Sequence, residues 1–210
     1  MVRSVCQGFE DRVKMDKSMP PGAGKSSFDL VDAKKVFGEL RLKRGMTFLD
    51  MACGKGEYAL AASEMIGSNG LIHAIDLWEE GIAELRRQAL DRNIQNIRAK
   101  VADLRGRIPI ADNGVDVCLM ATVLHDLVET GAANQALKEA ARVLKSNGSL
   151  MVIEFKKIDG PPGPPIHIRL TPEEVENFAA PYGFVKKQVI DVGPYNYMVT
   201  FVIKKTRKPE

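Results

Sequence analysis

The segment MTFLDMACGKGEYALAASEMIG, Met46–Gly67, decides how this chain is read. Its first part, MTFLDMA, is a β-rich apolar run carrying one carboxylate, and it turns through Gly54 and Gly56. Its second part, EYALAASEMI, places Tyr58, Ala62, Met65 and Ile66 at helical spacing, with Gly67 positioned to close the helix. Strand, glycine turn and helix in that order form a ligand loop. The glycines allow a tight turn and close backbone approach, and the start of the helix offers free amides.

The alternation continues outward from this segment, from Leu30 to the C-terminus, with no internal repeat. Leu71–Asp76 predicts a second strand, and Trp78–Asn93 a helix with Trp78, Ile82, Leu85 and Ala89 as its apolar stripe, a place that favours packing Trp78 into the core over covering an adenine ring. Asn96–Ala102 and Gly114–Ala121 predict a third and a fourth strand. Ala132–Leu144 follows as a helix, and an Asn147-Gly148 turn leads into a fifth strand over Ser149–Phe155. Lys156–Arg169 holds four prolines, which remove backbone donors, so it is expected as a loop or extended surface segment. Thr171, Pro172 and Glu174 form a helix-start signature. Phe184–Ile190 and Asn196–Lys205, joined by DVGPYN, predict a hairpin at the sheet edge. The fold expected is α/β: a Rossmann-like, doubly wound, mostly parallel seven-stranded sheet with an antiparallel C-terminal hairpin strand. Residues 1–29 are expected as an N-terminal extension, a flexible loop or lid, and residues 30–210 as the single domain.

Composition sets the outer bounds. With 210 residues, 45% of them apolar, the chain can bury one sizeable core. The net charge of +3, much of it in the tail KKTRKPE, is too weak and too dispersed to argue for a nucleic-acid partner. No run is apolar and long enough for a signal peptide or a membrane span, so a cytoplasmic protein is expected. Cys6, Cys53 and Cys118 make neither a disulfide set nor a CxxC pattern, so reduced thiols and no metal are expected. The sequence does not set the oligomeric state, and a homodimer is compatible with it.

A second glycine run, GAGKSS at Gly22–Ser27, contains Gly-Lys-Ser. It is not a phosphate-binding P-loop, because Met19 stands where the first glycine of GxxxxGK[ST] is required and the residues before it are polar, not a buried strand. The loop after the first strand is therefore the ligand loop, and three carboxylates narrow its ligand. Asp50, four residues before Gly54, would repel a pyrophosphate but suits a cationic amino group. Asp76, about 20 residues past the loop, is placed to accept from both ribose hydroxyls. Asp103, just past the third strand, can reach an adenine amino group, with Leu77 and Leu104 available to sandwich the ring.

The stretches LDMACGKGEYAL, HAIDLWEEGIAEL, VADLRGRIPIADNGVDVCLMATVLHDL and EAARVLKSNGSLMVIEF resemble, in order and spacing, the successive motifs of class I S-adenosylmethionine-dependent methyltransferases. The likeness, from about Gly45 to Phe155, is to small members similar to the ubiquinone/menaquinone biosynthesis methyltransferases. It implies S-adenosyl-L-methionine as cofactor. The loop Ala52, Cys53, Gly54 and Gly56 would hold its methionine part, Asp50 its amino group, Asp76 the ribose and Asp103 the adenine N6, and backbone groups of Ala121 would close over the sulfonium side. The Asn/Asp-Pro-Pro-aromatic tetrapeptide of methyltransferases acting on nucleobase amines is missing after the fourth strand, where ATVLHDL stands, which disfavours that substrate class.

The acceptor is expected to be a small, hydrophobic, phenol- or thiol-like molecule in a pocket bounded by the N-terminal segment, the residues after the fourth strand and the proline loop. Met120, Leu124, Ile166, Ile168 and Tyr195 are candidates for its lining. His125 is the one histidine of three placed at the C-terminal sheet edge beside the methyl group. It is the candidate base, with Asp126 either beside it or capping the next helix. Two alternative readings stand beside this one. An NAD(P)-dependent oxidoreductase explains Gly54, Gly56 and Asp76 but leaves Asp50 facing phosphates. A non-catalytic S-adenosylmethionine-binding protein explains the cofactor residues without an acceptor.

Overall fold

The structure, a computed structural model, describes residues 24–205. The central strand β1 (Thr47–Met51) is paired on one side with β2 (Leu71–Asp76), which in turn pairs with β3 (Ile97–Val101). On its other side β1 pairs with β4 (Val115–Ala121), and β4 with β5 (Leu144–Phe155). These five strands are parallel. The final strand β7 (Asn196–Ile203) runs antiparallel between β5 and the edge strand β6 (Phe184–Asp191), giving the order β3-β2-β1-β4-β5-β7-β6. Strand order reverses between β1 and β4, and ligands of doubly wound sheets bind outside the carboxyl ends of the strands at such a point.

Both faces of the sheet are covered, which explains why the inner strands read as unbroken apolar runs. In β4, Val117 and Leu119 pack with Phe48, Ile72 and Met151 on one face, while Cys118 and Met120 pack with Leu49, Ile75 and Val152 on the other. Helices α1 (Ala33–Leu40), α2 (Glu57–Ile66) and α3 (Glu79–Asp91) contribute Val36, Ala62 and Leu85 to the first layer. Helices α4 (Leu124–Glu129), α5 (Ala133–Val143) and α6 (Pro172–Ala179) contribute Leu124, Leu137 and Val175 to the second. Helix α6 starts on a capping box: Thr171 accepts from the Glu174 amide at 3.2 Å and donates its own amide to the Glu174 carboxylate at 2.6 Å, with Pro172 as the first helical residue.

Several local expectations change. Helix α3 begins at Glu79, so Trp78 sits at its N-cap and leaves the stripe of Ile82, Leu85 and Ala89. In α2 Met65 is exposed, and Ala59 and Ser63 take the buried face with Tyr58, Ala62 and Ile66. Strand β5 already pairs at Leu144, across an irregular register in which Asn147 has φ +65°. Two helices stand outside the elements expected from the sequence. Helix α4 is shorter than two turns, and α1 buries only Val36 and Leu40 behind an Asp32 cap that accepts from the Lys34 and Lys35 amides. Residues 1–23, including Cys6 and most of the expected N-terminal extension, lie outside the described residues. No helix among the described residues is long and apolar enough to cross a membrane.

Candidate active site

A cavity of about 380 Å³ opens over the carboxyl ends of β1, β2 and β4. The loop after β1 forms its floor through left-handed backbone at Ala52 (φ +59°) and Gly54 (φ +55°), which turns the chain sharply enough to start α2 at the sheet edge. Asp50, Ala52, Cys53, Gly54, Asp76, Leu77, Asp103, Leu104 and Ala121 all line this cavity. Gly56 does not. It is the N-cap of α2 at φ +77°, and a Cβ there would lie 2.4 Å from a Leu85 methyl, so its glycine serves the packing of α3 under the loop.

Asp50 is 1% exposed, and its Oδ2 has no hydrogen-bond partner. Burial, then the negative charge of Asp76, pushes its carboxyl up to about 7, against the pull of the Ala59 amide. A buried acceptor without a partner beside a cavity has the chemistry to receive a cationic group. Asp76 is held differently: its two oxygens accept from the Gly54 and Trp78 amides, each at 2.7 Å, so the same carboxylate that faces the cavity also ties the loop to β2. Asp103 forms an ion pair with Arg105 at 2.7 Å, and the Arg105 hydrogen bonds hold its carboxyl below the usual range. Burial first, then Asp50 and Asp76, pushes the Cys53 thiol well up, so it is a small neutral group here and no nucleophile. Trp78 lines the cavity with the Lys55 ammonium 5.9 Å from its ring, correcting the expectation of core packing.

The N-terminal segment closes one side. Gly24–Ser27 line the cavity, and the Ser27 hydroxyl meets the Tyr58 hydroxyl at 3.0 Å. Phe28 packs edge-on against Tyr58 at 5.0 Å between ring centroids, which anchors the segment to α2.

A second cavity, also about 380 Å³, adjoins the first and shares Lys25, Ser26, Ser27, Thr122 and Asp126 with it. Its other walls are His125, Leu30, Phe155, Pro162, Gly163 and Pro164. The expected lining was wrong in its residues: Met120 and Leu124 are core, and Ile166, Ile168 and Tyr195 do not face this cavity. Asp126 does not cap a helix either; it lies in the first turn of α4.

His125 is 4% exposed and gripped at two points by Glu154, a wholly buried carboxylate near the end of β5. Glu154 Oε2 is 2.7 Å from Nδ1 and Oε1 accepts from the His125 amide at 3.1 Å. With Nδ1 donating to Glu154, the neutral ring keeps its lone pair on Nε2. That atom lies 3.6 Å from Asp126 Oδ2, beyond a hydrogen bond. Burial works against the charged ring, but the hydrogen bond and charge of Glu154, with Asp126, outweigh it and raise the His125 pKa above its ordinary value. Glu154 escaped the sequence reading because a single acid in the strand SLMVIEF has no local signal; only the pairing of β4 with β5 brings it beneath His125.

A sheet reversal, a glycine loop and two adjoining cavities define a doubly wound α/β protein with a ligand site at its switch point. A family model for a methyltransferase domain matches residues 42–193. The chain is 32% identical to a S-adenosylmethionine-dependent methyltransferase of Aquifex aeolicus whose crystal structure superposes with a TM-score of 0.76, covering 85% of this chain and 93% of that one. It is 33% identical over 117 residues to the ubiquinone/menaquinone biosynthesis C-methyltransferase UbiE of Azotobacter vinelandii, covering 55% of this chain and 45% of that protein. It is also 28% identical over 129 residues to the demethylmenaquinone methyltransferase of Lactobacillus johnsonii, covering 61% of this chain and 51% of that one. The chain spans about half the length of these curated relatives. The chain belongs to the class I S-adenosylmethionine-dependent methyltransferases, and S-adenosylmethionine is its cofactor. The unpartnered Asp50 oxygen fits that cofactor's cationic amino group, whereas a carboxylate at Asp50 does not fit the pyrophosphate of a dinucleotide.

Proposed function

We propose that this chain transfers a methyl group to a small acceptor with an apolar body and one phenol- or thiol-like group, seated in the second cavity. When bound, S-adenosylmethionine supplies an electrophilic methyl group. In this reading Asp50 pairs with the cofactor's amino group, Asp76 accepts from the ribose, and Asp103 with Leu77 and Leu104 receives the adenine. The main chain of Ala52–Gly54 and Ala121 encloses the remainder. Leu30, Phe155, Pro162 and Pro164 take the acceptor's apolar body, and the segment Gly24–Leu30 shields both cavities from water. His125 Nε2 takes the acceptor's proton, and Glu154 holds the ring and stabilises its charged form. Asp126 adds negative charge beside it. The observation that carries the reading is the Glu154-gripped His125 in the wall of a cavity that adjoins the cofactor cavity.

Removing a phenol proton also enriches the ring carbon beside the oxygen, so one base serves attack through oxygen or through carbon. The relatives named as C-methyltransferases of quinone biosynthesis are consistent with the second. The buried free thiols of Cys53 and Cys118 suit a reducing compartment, the cytoplasm.

The test is formation of S-adenosylhomocysteine with a panel of phenols and thiols. His125→Ala should lower turnover by roughly ten- to a hundred-fold while S-adenosylmethionine affinity stays within about two-fold. Loss of cofactor binding in proportion to activity would move His125 into the cofactor site, and full activity in the variant would remove the base.

A further inference from the structure

The loop after β5 is rich in acceptors and poor in donors. Pro161, Pro162, Pro164 and Pro165 supply carbonyls without amides, so the segment cannot close a hydrogen-bond ladder of its own. Arg169 supplies what is missing. Its side chain is 1% exposed, and its Nε donates to Pro164 O at 2.8 Å. Nη1 donates to Lys156 O at 3.1 Å and Ile158 O at 2.7 Å, and Nη2 to Gly160 O at 2.6 Å and Pro162 O at 2.9 Å. A guanidinium has five N–H donors, and these five bonds use all of them on alternate carbonyls of one loop. Its carbon also lies 5.6 Å from the centre of the Phe155 ring. No carboxylate among the described residues makes an ion pair with Arg169, so the loop itself solvates this buried cation.

Three residues of that loop, Pro162, Gly163 and Pro164, line the second cavity together with Phe155. Gly163 presses on the ring closely: at φ +103° a Cβ there would lie 2.7 Å from a Phe155 ring carbon. The charge of Arg169 also reaches His125, opposing the pull of Glu154 on its proton. We infer that Arg169 is a positioning residue that sets acceptor specificity. By fixing the carbonyls of residues 156–164 it fixes the wall of the cavity, without touching the acceptor. This rests on the reading of the second cavity as the acceptor site. Lysine cannot replace it, having three donors on one nitrogen for five carbonyls.

The test uses the full chain saturated with S-adenosylhomocysteine, with phenol and 2-naphthol as probes of small and larger ring size. Dissociation constants come from NMR titration, and amide exchange is followed over residues 156–168. In Arg169→Lys, loop exchange should rise by roughly ten-fold or more, phenol affinity should fall by about ten-fold, and the preference between the two probes should flatten. S-adenosylhomocysteine affinity should stay within about two-fold. Gly163→Ala, which displaces the wall from Phe155 and leaves the Arg169 donors in place, should weaken phenol binding in the same selective way even if Arg169→Lys fails to fold. Unchanged loop exchange in Arg169→Lys overturns the inference, as does faster exchange with probe affinity and preference unaltered in both variants. A wild-type protein that binds neither probe defeats the acceptor reading as well, an outcome distinct from either of these.

Discussion

Binding of the cofactor should release a proton near neutral pH, and Asp50 should be its source. In the free protein burial holds this carboxyl up to about 7. A cationic amino group brought against its open oxygen lowers a carboxylate by about one to three pH units. The expected release is therefore about 0.4 to 0.9 proton per cofactor at pH 6, about 0.4 to 0.5 at pH 7 and about 0.1 at pH 8. Titration calorimetry with S-adenosylhomocysteine in two buffers of unlike ionisation enthalpy measures it as the slope of observed against buffer enthalpy. The same pKa fixes a stability sign. An acid whose folded pKa is raised favours the folded state less as pH climbs from its ordinary 3.8 to about 7, a cost on the order of 4 kcal/mol when complete. Asp50→Asn should then raise the melting temperature of the free protein at pH 8, abolish the proton release and weaken cofactor binding. A buffer-independent enthalpy at pH 6, or the same slope in Asp50→Asn, would refute the reasoning.

Asp76→Ala should weaken S-adenosylmethionine binding by more than about ten-fold, since a charged hydrogen-bond acceptor contributes about 1.5–3 kcal/mol, and should also lower the melting temperature because the Gly54 and Trp78 amides lose their partner. An unchanged dissociation constant in a folded variant would take Asp76 out of the site. Gly56→Ala should cost roughly 2–4 kcal/mol in urea unfolding, from left-handed backbone at φ +77° and displacement of Leu85, and a loss below about 1 kcal/mol would count against that packing role. For the base, the unprotonated ring is the active form, so kcat/KM should fall as pH drops through the raised His125 pKa. Glu154→Gln removes the charge that raises it, so the acid limb should move to lower pH and the plateau rate should fall; a pH profile identical to wild type would exclude the pairing from catalysis.

Much of this protein is written locally. The apolar runs in TFLDM and VDVCLMA follow from strands buried on both faces, the helical spacing in α2 and α5 is set by backbone geometry, and the Thr171–Glu174 cap needs only its own four residues. The wall of the first cavity was legible for the same reason. Asp50, Ala52, Gly54, Asp76, Asp103 and Ala121 each sit at or just past the carboxyl end of a strand, and parallel strands necessarily bring those ends to one edge of the sheet. The tertiary structure alone decided the rest. Trp78 moved from the core to the cavity wall because α3 starts one residue later than its apolar stripe suggests. Glu154 meets His125 only because β5 pairs with β4, across 29 residues of chain. The second cavity gets its walls from Lys25, Ser26, Ser27 and Leu30, from Phe155 and from a proline loop whose course depends on the five donors of Arg169. Periodicity and strand-end position are properties of neighbouring residues. The partner of a buried charge is a property of the packed fold, because removing water from a carboxylate or a guanidinium obliges it to find whatever group the topology has brought alongside.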